Sequence, residues 1–500
     1  MKSKFKKRVT LLNTLSSLVL QITLIINGFL VPKLILDAFG SDVNGLISSL
    51  TKFLQYIALV DGGIAGVLTA KLYRPLARKD TEKINSVLAS AKKFYRKIGY
   101  IFMIYALVLS VVYPLCFNTG FSFMYVMTLT LILSISLITQ YMMSLTYKTL
   151  LNADKKIYVT ATTQAFISIA EIVLAMISIK IYPEIHLLKL LTGAVYIIQP
   201  IVYTHYIKKH YTIDTNVRAD SISMKGRWDG FAINTAAFVH SGTDVAVLTI
   251  FTNLATVSVY SVYALVTSGI KNLINSLVSS LNPTLGHAYA RENFGELKQK
   301  LNIYEYVVFT LVFLIFSVAG LLITPFVSIY TAGLTDANYH QPLFGILLVI
   351  SEALYLLKFP HLNLAYSANK FRDISIPAFV EAGLNIVISV ALVPFLGIVG
   401  VAIGTIVAMA YRLVFHVYYT SKIIPRWRQW FFYRKLIIFT IASEIGITLC
   451  LLLPDADGTI ISWIWHAVVY AFIIGVLLVG VSLVFFRDEL SYLKNYLRRK

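Results

Sequence analysis

The sequence predicts an all-α integral membrane protein of about fourteen transmembrane helices, in two pseudo-symmetric six-helix bundles followed by two further helices. Three observations predict it. Of 500 residues, 57% are hydrophobic and only 14% charged, too apolar a balance for a soluble domain. The apolar residues gather in runs of about twenty or more, the length one helix needs to cross a hydrocarbon core about 30 Å thick. Basic residues fall in alternate gaps between those runs.

In chain order the runs lie at 14–36, 43–70, 98–117, 121–147, 158–180, 186–207, 229–252, 255–283, 303–330, 340–366, 374–394, 397–420, 435–453 and 460–486. The basic opening Lys2, Lys4, Lys6, Lys7 and Arg8 precedes the first. That run is too long for a signal-peptide core and has no small-x-small cleavage site, so it reads as a retained span. Lys and Arg then number nine in 71–97, three in 148–156, five in 208–227, three in 291–300, two in 370–372, and five each in 422–435 and 487–500. The intervening gaps are short and lean acidic, with Asp37, Asp42, Glu184, Asp336, Asp455 and Asp457. By the positive-inside rule both termini are cytoplasmic. The net charge of +20 is thus a topology signal that also favours anionic membrane lipids, and nucleic acid is not an expected partner.

A weak internal repeat divides the chain. KLYRPLARKDTEK (71–83) follows the second run and HAYARENFGELKQK (287–300) follows the eighth. Residues 1–227 are read as an N-terminal six-helix lobe and 228–433 as a second lobe in the same orientation. Residues 434–486 are helices 13 and 14, and 487–500 a basic cytoplasmic tail. Parallel repeats of this kind are a transporter architecture with the substrate site between the halves. The gaps leave no room for a soluble catalytic domain.

Ionisable residues inside spans are costly and usually functional. Lys52 continues a polar stripe with Asn44, Ser48 and Gln55, and Lys271 one with Ser261, Ser268, Asn275 and Ser279. The two lysines are expected at comparable depth on equivalent helices. Lys358, beside Pro360, and Arg412, aligned with His416, complete a set of four cations suited to a phosphate-bearing substrate. Lys33, near a span end, is expected to snorkel. Among embedded acids, Glu171, Asp244 (with His240 four residues before it), Glu352 and Glu381 are candidate ion-coupling residues; equally, each could serve to neutralise an embedded cation. Asp61, before Gly62 and Gly63, is placed at a helix break. The remaining histidines, His205, His287, His361 and His466, lack metal spacing and read as structural. Cys116 and Cys450 offer no disulfide framework. No phosphate loop, HExxH, GxSxG or CxxC pattern occurs, so no metal, no cofactor and no enzymatic activity are expected.

NTLSSLVLQITLIINGFLVPKLIL, FGSDVNGLISSLTKFLQYIALVDGGIAGVLTAKLYRPLARKD, NPTLGHAYARENFGELKQK and LGIVGVAIGTIVAMAYR (396–412) resemble the Wzx-type polysaccharide flippases of the multidrug/oligosaccharidyl-lipid/polysaccharide exporter superfamily. The resemblance spans essentially the whole chain and rests on Gly and apolar patterns. It implies a MATE-like pair of bundles in a bacterial cytoplasmic membrane, working by alternating access. It also implies transfer of undecaprenyl-pyrophosphate-linked oligosaccharide (capsule, O-antigen or a related cell-wall glycan) from the cytoplasmic to the outer leaflet. Coupling to H+ or Na+ through an embedded acid is a separate expectation, as are polymerase and assembly proteins as partners. The family's cationic cavity carries over by residue type onto Lys52, Lys271, Lys358 and Arg412. Fourteen spans also match relatives that flip peptidoglycan precursor. A multidrug cation antiporter is the first rival, and the embedded cations argue against it. A membrane glycosyltransferase or polymerase is the second, and it lacks the acidic metal cluster or large outer loop it needs.

Overall fold

The computed structural model describes residues 2–57, 59, 64–214, 217, 242–454 and 457–498. All regular structure among them is helical. They form two compact units, Met1–Ser258 and Val259–Lys500.

The first unit opens with α1, Lys2–Gln55. At 1.5 Å per residue its 54 residues would reach about 80 Å, far beyond one bilayer crossing. The helix is broken at Gly40 (φ 81°, ψ −178°), a conformation glycine adopts at no steric cost. Then come α2 (Ile64–Arg78), α3 (Thr81–Cys116), α4 (Phe123–Thr139) with a π-turn over Gln140–Ser144, and α5 (Leu145–Ala153). These are followed by α6 (Ile157–Ile181), α7 (Ile185–Ala194), α8 (Ile198–His210) and α9 (Gly242–Phe251). Leu36, Leu46, Leu50, Tyr95, Phe102 and Tyr113 fill the interior. Of the polar stripe on α1, Asn44 is buried in that interior, while Ser48, Lys52 and Gln55 are half-buried. Asn44 donates to Ser258 Oγ at 2.7 Å, and Ser49 links Tyr113 and Thr249 through contacts of 2.7 Å each. Such bonds satisfy polar groups that lipid cannot. Ile104, Leu107 and Val108 point outward, as lipid-facing side chains do.

The second unit holds most of α10 (Leu254–Val278), then α11 (Asn282–Ala290), α12 (Phe294–Tyr330), α13 (Pro342–Leu357) and α14 (Phe359–Ser367). After them come α15 (Phe371–Leu396), α16 (Ile398–Ile423), α17 (Trp430–Leu451), α18 (Ile460–Phe485) and α19 (Arg487–Arg498). α15 and α16 form a tight hairpin through Gly397. A Cβ at Gly404 would lie 2.3 Å from Ser389 Oγ, and one at Gly400 would lie 2.7 Å from the Leu392 carbonyl carbon. This small-xxx-small pair lets the two backbones touch, and Asn385 then reaches Thr405 Oγ1 at 2.9 Å. α17 and α18 pack on α12, where the Trp463 indole donates to the Leu322 carbonyl at 3.0 Å.

Eleven helices among the described residues are long and apolar enough to cross a membrane. The three further expected runs have identifiable fates. Run 43–70 is split between α1 and α2, with 58 and 60–63 outside the described residues. Only α9 of run 229–252 is described. Run 435–453 is α17, whose Arg434, Lys435 and Glu444 lower its hydropathy.

The two units repeat a turn signature. Lys79 (φ 56°) and Glu292 (φ 55°) lie 213 positions apart, and Lys155 (φ 59°) and Asn369 (φ 56°) lie 214 apart. Each takes the left-handed conformation that stops a helix. Asp80 and Asn293 then cap the next helix, accepting from Lys83 N and Glu296 N at 3.0 Å each. The helices that follow, α3 and α12, have 36 and 37 residues.

Gly404→Val is expected to force the α15–α16 hairpin apart and cost about 1–3 kcal/mol. The thermal unfolding midpoint in detergent measures this, with Gly383→Ala, where nothing lies within 4 Å, as control. Equal midpoints for the two variants would contradict the close-packing account.

Candidate functional site: a buried charge network

Helix α10 carries Lys271, α13 Glu352, the α13–α14 junction Lys358, α15 Glu381 and α16 Arg412. Within the second unit these five sequence-predicted residues come together. Lys271 Nζ bonds Glu352 Oε1 at 2.8 Å. Lys358 Nζ lies 3.6 Å from Glu381 Oε1, and Arg412 Nε lies 3.3 Å from Glu381 Oε2. The Tyr355 ring joins the two clusters, with Lys271 Nζ 5.1 Å and Lys358 Nζ 4.3 Å from its centroid, a cation–π geometry. Arg412 Nε also donates to His416 Nε2 at 2.9 Å, which requires that ring nitrogen to be unprotonated. Lys358, Glu381 and Arg412 are each about 5% exposed or less. Three cations therefore face two carboxylates. The network holds one positive charge in excess, and Arg412 Nη1 is buried without a hydrogen bond.

Sequence reasoning missed a second buried cluster. Glu305, on α12, is 0% exposed. It bonds Lys435 Nζ of α17 at 2.7 Å and lies 3.4 Å from His361 Nε2, whose Nδ1 meets Thr420 Oγ1 at 2.8 Å. His361 is also packed against Trp427 and Phe432. Glu305 sits at the very start of its apolar run and was not singled out, and Lys435 was counted among five loop cations at 422–435.

The first unit holds Lys52, Glu171 and Asp244. Glu171 lines a cavity of about 350 Å³ with Gln55, Gln140, Lys189, Thr192 and Tyr196. Asn27 donates to its Oε2 at 2.6 Å. The π-turn of Gln140–Ser144 opens the helix beside this cavity, as π-bulges do at functional sites. Lys52 is half-buried, next to Thr51 on the stretch of α1 that gives Thr51, Leu54 and Gln55 to the cavity wall. Asp244 is 3% exposed. His240 and Asp61 lie outside the described residues. Lys33, expected to snorkel, pairs with the exposed Asp37 at 2.6 Å.

The repeat register bears on the lysine pair. A shift of 213, set by Lys79 and Glu292, carries Lys52 onto Leu265, six residues before Lys271 and about 9 Å along a helix. The expected comparable depth of the two lysines does not follow in this register.

Removing Lys435 leaves Glu305 charged in an apolar interior, so Lys435→Ala is expected to cost about 3–5 kcal/mol, and Glu305→Gln with Lys435→Met to recover most of it. Thermal midpoints in detergent compare them. A single variant no less stable than the double would contradict the buried pair.

No family model matches the sequence, and no curated protein matches it either. Solved structures do. The chain is similar to the lipid II flippase MurJ in an inward closed conformation, with a TM-score of 0.73 at 16% identity over 96% of this chain and 100% of that one. It is similar to an inward-facing multidrug resistance MATE family transporter of the MOP superfamily, with a TM-score of 0.67 at 12% identity over 82% and 98%. The MATE multidrug transporter DinF-BH gives 0.61 at 15% identity over 83% and 96%. The chain therefore has the membrane fold that these MurJ and MATE transporters share.

Proposed function

We propose that this chain is a flippase that moves undecaprenyl-pyrophosphate-linked oligosaccharide repeat units, for capsule, O-antigen or a related polysaccharide, from the inner to the outer leaflet by alternating access. The observation that carries the reading is the cation-rich network of the second unit, three cations to two carboxylates. A pyrophosphate must shed water to pass a bilayer, and bidentate Arg and Lys contacts replace that water. The likeness to a lipid II flippase over 96% of the chain supports it. The repeated turns support two pseudo-symmetric six-helix bundles, divided at 227/228, with helices 13 and 14 added and fourteen crossings in all. Both termini then lie in the cytoplasm of a bacterial cell.

Lys52, Lys271, Lys358 and Arg412 are the proposed substrate-binding cations. Coupling follows from their pairing. When phosphate takes Lys271, Glu352 loses its counter-ion and takes a proton or sodium ion instead; Glu381 is freed for the same role only when both Lys358 and Arg412 turn to phosphate. Asp244, with His240, and Glu171 are the coupling candidates of the first unit. Polymerase and assembly proteins would receive the product.

A second reading, a multidrug cation antiporter, draws on the cavity around Glu171 and Tyr196, since an acidic, aromatic lining suits an organic cation. Lys189 in the same wall opposes it.

Lys271→Ala combined with Glu352→Gln removes the ion pair without stranding a charge. Cells carrying it are expected to make normal protein levels, to lose export by about tenfold or more, and to accumulate lipid-linked oligosaccharide on the cytoplasmic leaflet. Wild-type export would remove Lys271 from the site. A normal lipid-linked pool in cells depleted of the protein would sink the flippase reading itself.

A further inference from the structure

His186, the second residue of α7, has an acceptor against each of its ring nitrogens. Nδ1 lies 2.6 Å from Glu184 Oε1. Nε2 lies 3.0 Å from the Tyr125 carbonyl and 3.0 Å from Thr128 Oγ1, both on α4. A carbonyl only accepts, and Thr128 gives its one hydrogen to the Met124 carbonyl at 2.7 Å, so Nε2 carries a hydrogen. Glu184 caps α7, accepting from His186 N at 3.1 Å and Leu187 N at 2.7 Å, and a helix N-terminus favours the carboxylate form. Burial would raise its carboxyl, yet the Leu187 and His186 N–H groups and the imidazole hold it below the usual carboxylate range. A neutral imidazole has one N–H and satisfies one of the two sides; an imidazolium satisfies both.

We propose that Glu184 and His186 bind one proton between them, and that this proton clamps α7 to α4. It comes from water, which reaches the pair, since the two side chains are 36% and 19% exposed. When it leaves, the remaining hydrogen stays on Nδ1, where its bond to a carboxylate is the stronger one. The bond to α4 is then lost, and a ring lone pair faces the Tyr125 carbonyl. The clamp therefore holds on the acid side and loosens as pH rises past the range in which histidine changes charge. Of the other groups nearby, the Tyr125 ring lies edge-on to the imidazole at 4.6 Å. Lys180, in the last turn of α6, which also packs on α7, is exposed and forms no ion pair with Glu184 among the described residues. Lys189, one turn on, lines the Glu171 cavity. Both clamped helices wall that cavity, α4 through Ile132 and Ser136 and α7 through Lys189 and Thr192. Thr192 is about 9 Å along α7 from His186, so the proton fixes one cavity wall against another. The clamp belongs to the first unit alone and holds whether or not the chain moves a lipid-linked sugar.

Histidine-selective ¹⁵N labelling of the full chain in detergent reads the ring charge, and His186→Gln identifies the His186 signal by deleting it. That signal is expected to lose its second proton at a pH at least about one unit higher in the wild type than in Glu184→Gln. Equal titration in the two chains overturns the shared proton. Hydrogen exchange read by mass spectrometry tests the clamp in the wild type itself. Corrected for intrinsic rates, residues 123–130 and 185–192 are expected to exchange at least about tenfold faster at about pH 9 than at about pH 6, a difference that His186→Gln abolishes. Exchange there that does not change with pH, or that changes equally in His186→Gln, overturns the clamp.

Discussion

A charge moved from water into a bilayer costs several kcal/mol unless it finds a partner there, and this constraint governs where the embedded ions of this chain sit. Lys271 meets Glu352, Lys358 and Arg412 share Glu381, and Lys435 meets Glu305. Each pair joins different helices, so the pairs position helices as well as satisfying ions. The Lys435–Glu305 pair ties α17 to α12, while the Glu381 cluster ties α15 to α16 and to the α13–α14 junction. Function has room only in what the pairing leaves over. In the buried network of the second unit that remainder is one formal positive charge and a guanidinium N–H group with no hydrogen-bond partner among the described residues.

Backbone contact makes such pairing reachable. Glu381 can touch both Lys358 and Arg412 because Gly400 and Gly404 bring α15 and α16 into van der Waals contact. In lipid there is no hydrophobic force between helices, so small residues and polar bonds carry association. The Asn385–Thr405 bond and the glycines act on the same seam as the charges. The seam is therefore both a place of direct backbone contact and the place where ions are exchanged in the proposed cycle.

Much of this was legible in the chain itself. Hydropathy and the alternation of basic gaps point to a many-span helical membrane protein because lipid permits almost nothing else. Individual crossings were less legible. A glycine break at position 40 and charges within 434–444 are local features that a sliding apolar count blurs. The site was legible as a set of residues, and its pairing was not. Helical periodicity places Lys271 and Glu352 each on a polar stripe, but says nothing of which stripes meet across 81 positions. For the acids, neutralisation of a cation and ion coupling were equally open. The geometry has Glu352 and Glu381 engaged with cations and leaves Glu171 on a cavity wall. Glu305 and Lys435 escaped notice because each sits where an apolar run begins, and burial there is decided by the neighbouring helix.

The flippase and antiporter readings differ in the sign of what is carried, so transport by the purified chain separates them. The direct measurement is reconstitution into vesicles holding a fluorescent undecaprenyl-pyrophosphate oligosaccharide, with an impermeant quencher of the sugar label added outside. The account predicts that label on the inner leaflet becomes accessible with the protein and stays protected without it, while an organic cation dye is not moved. Protected label alongside gradient-driven movement of the dye would contradict it.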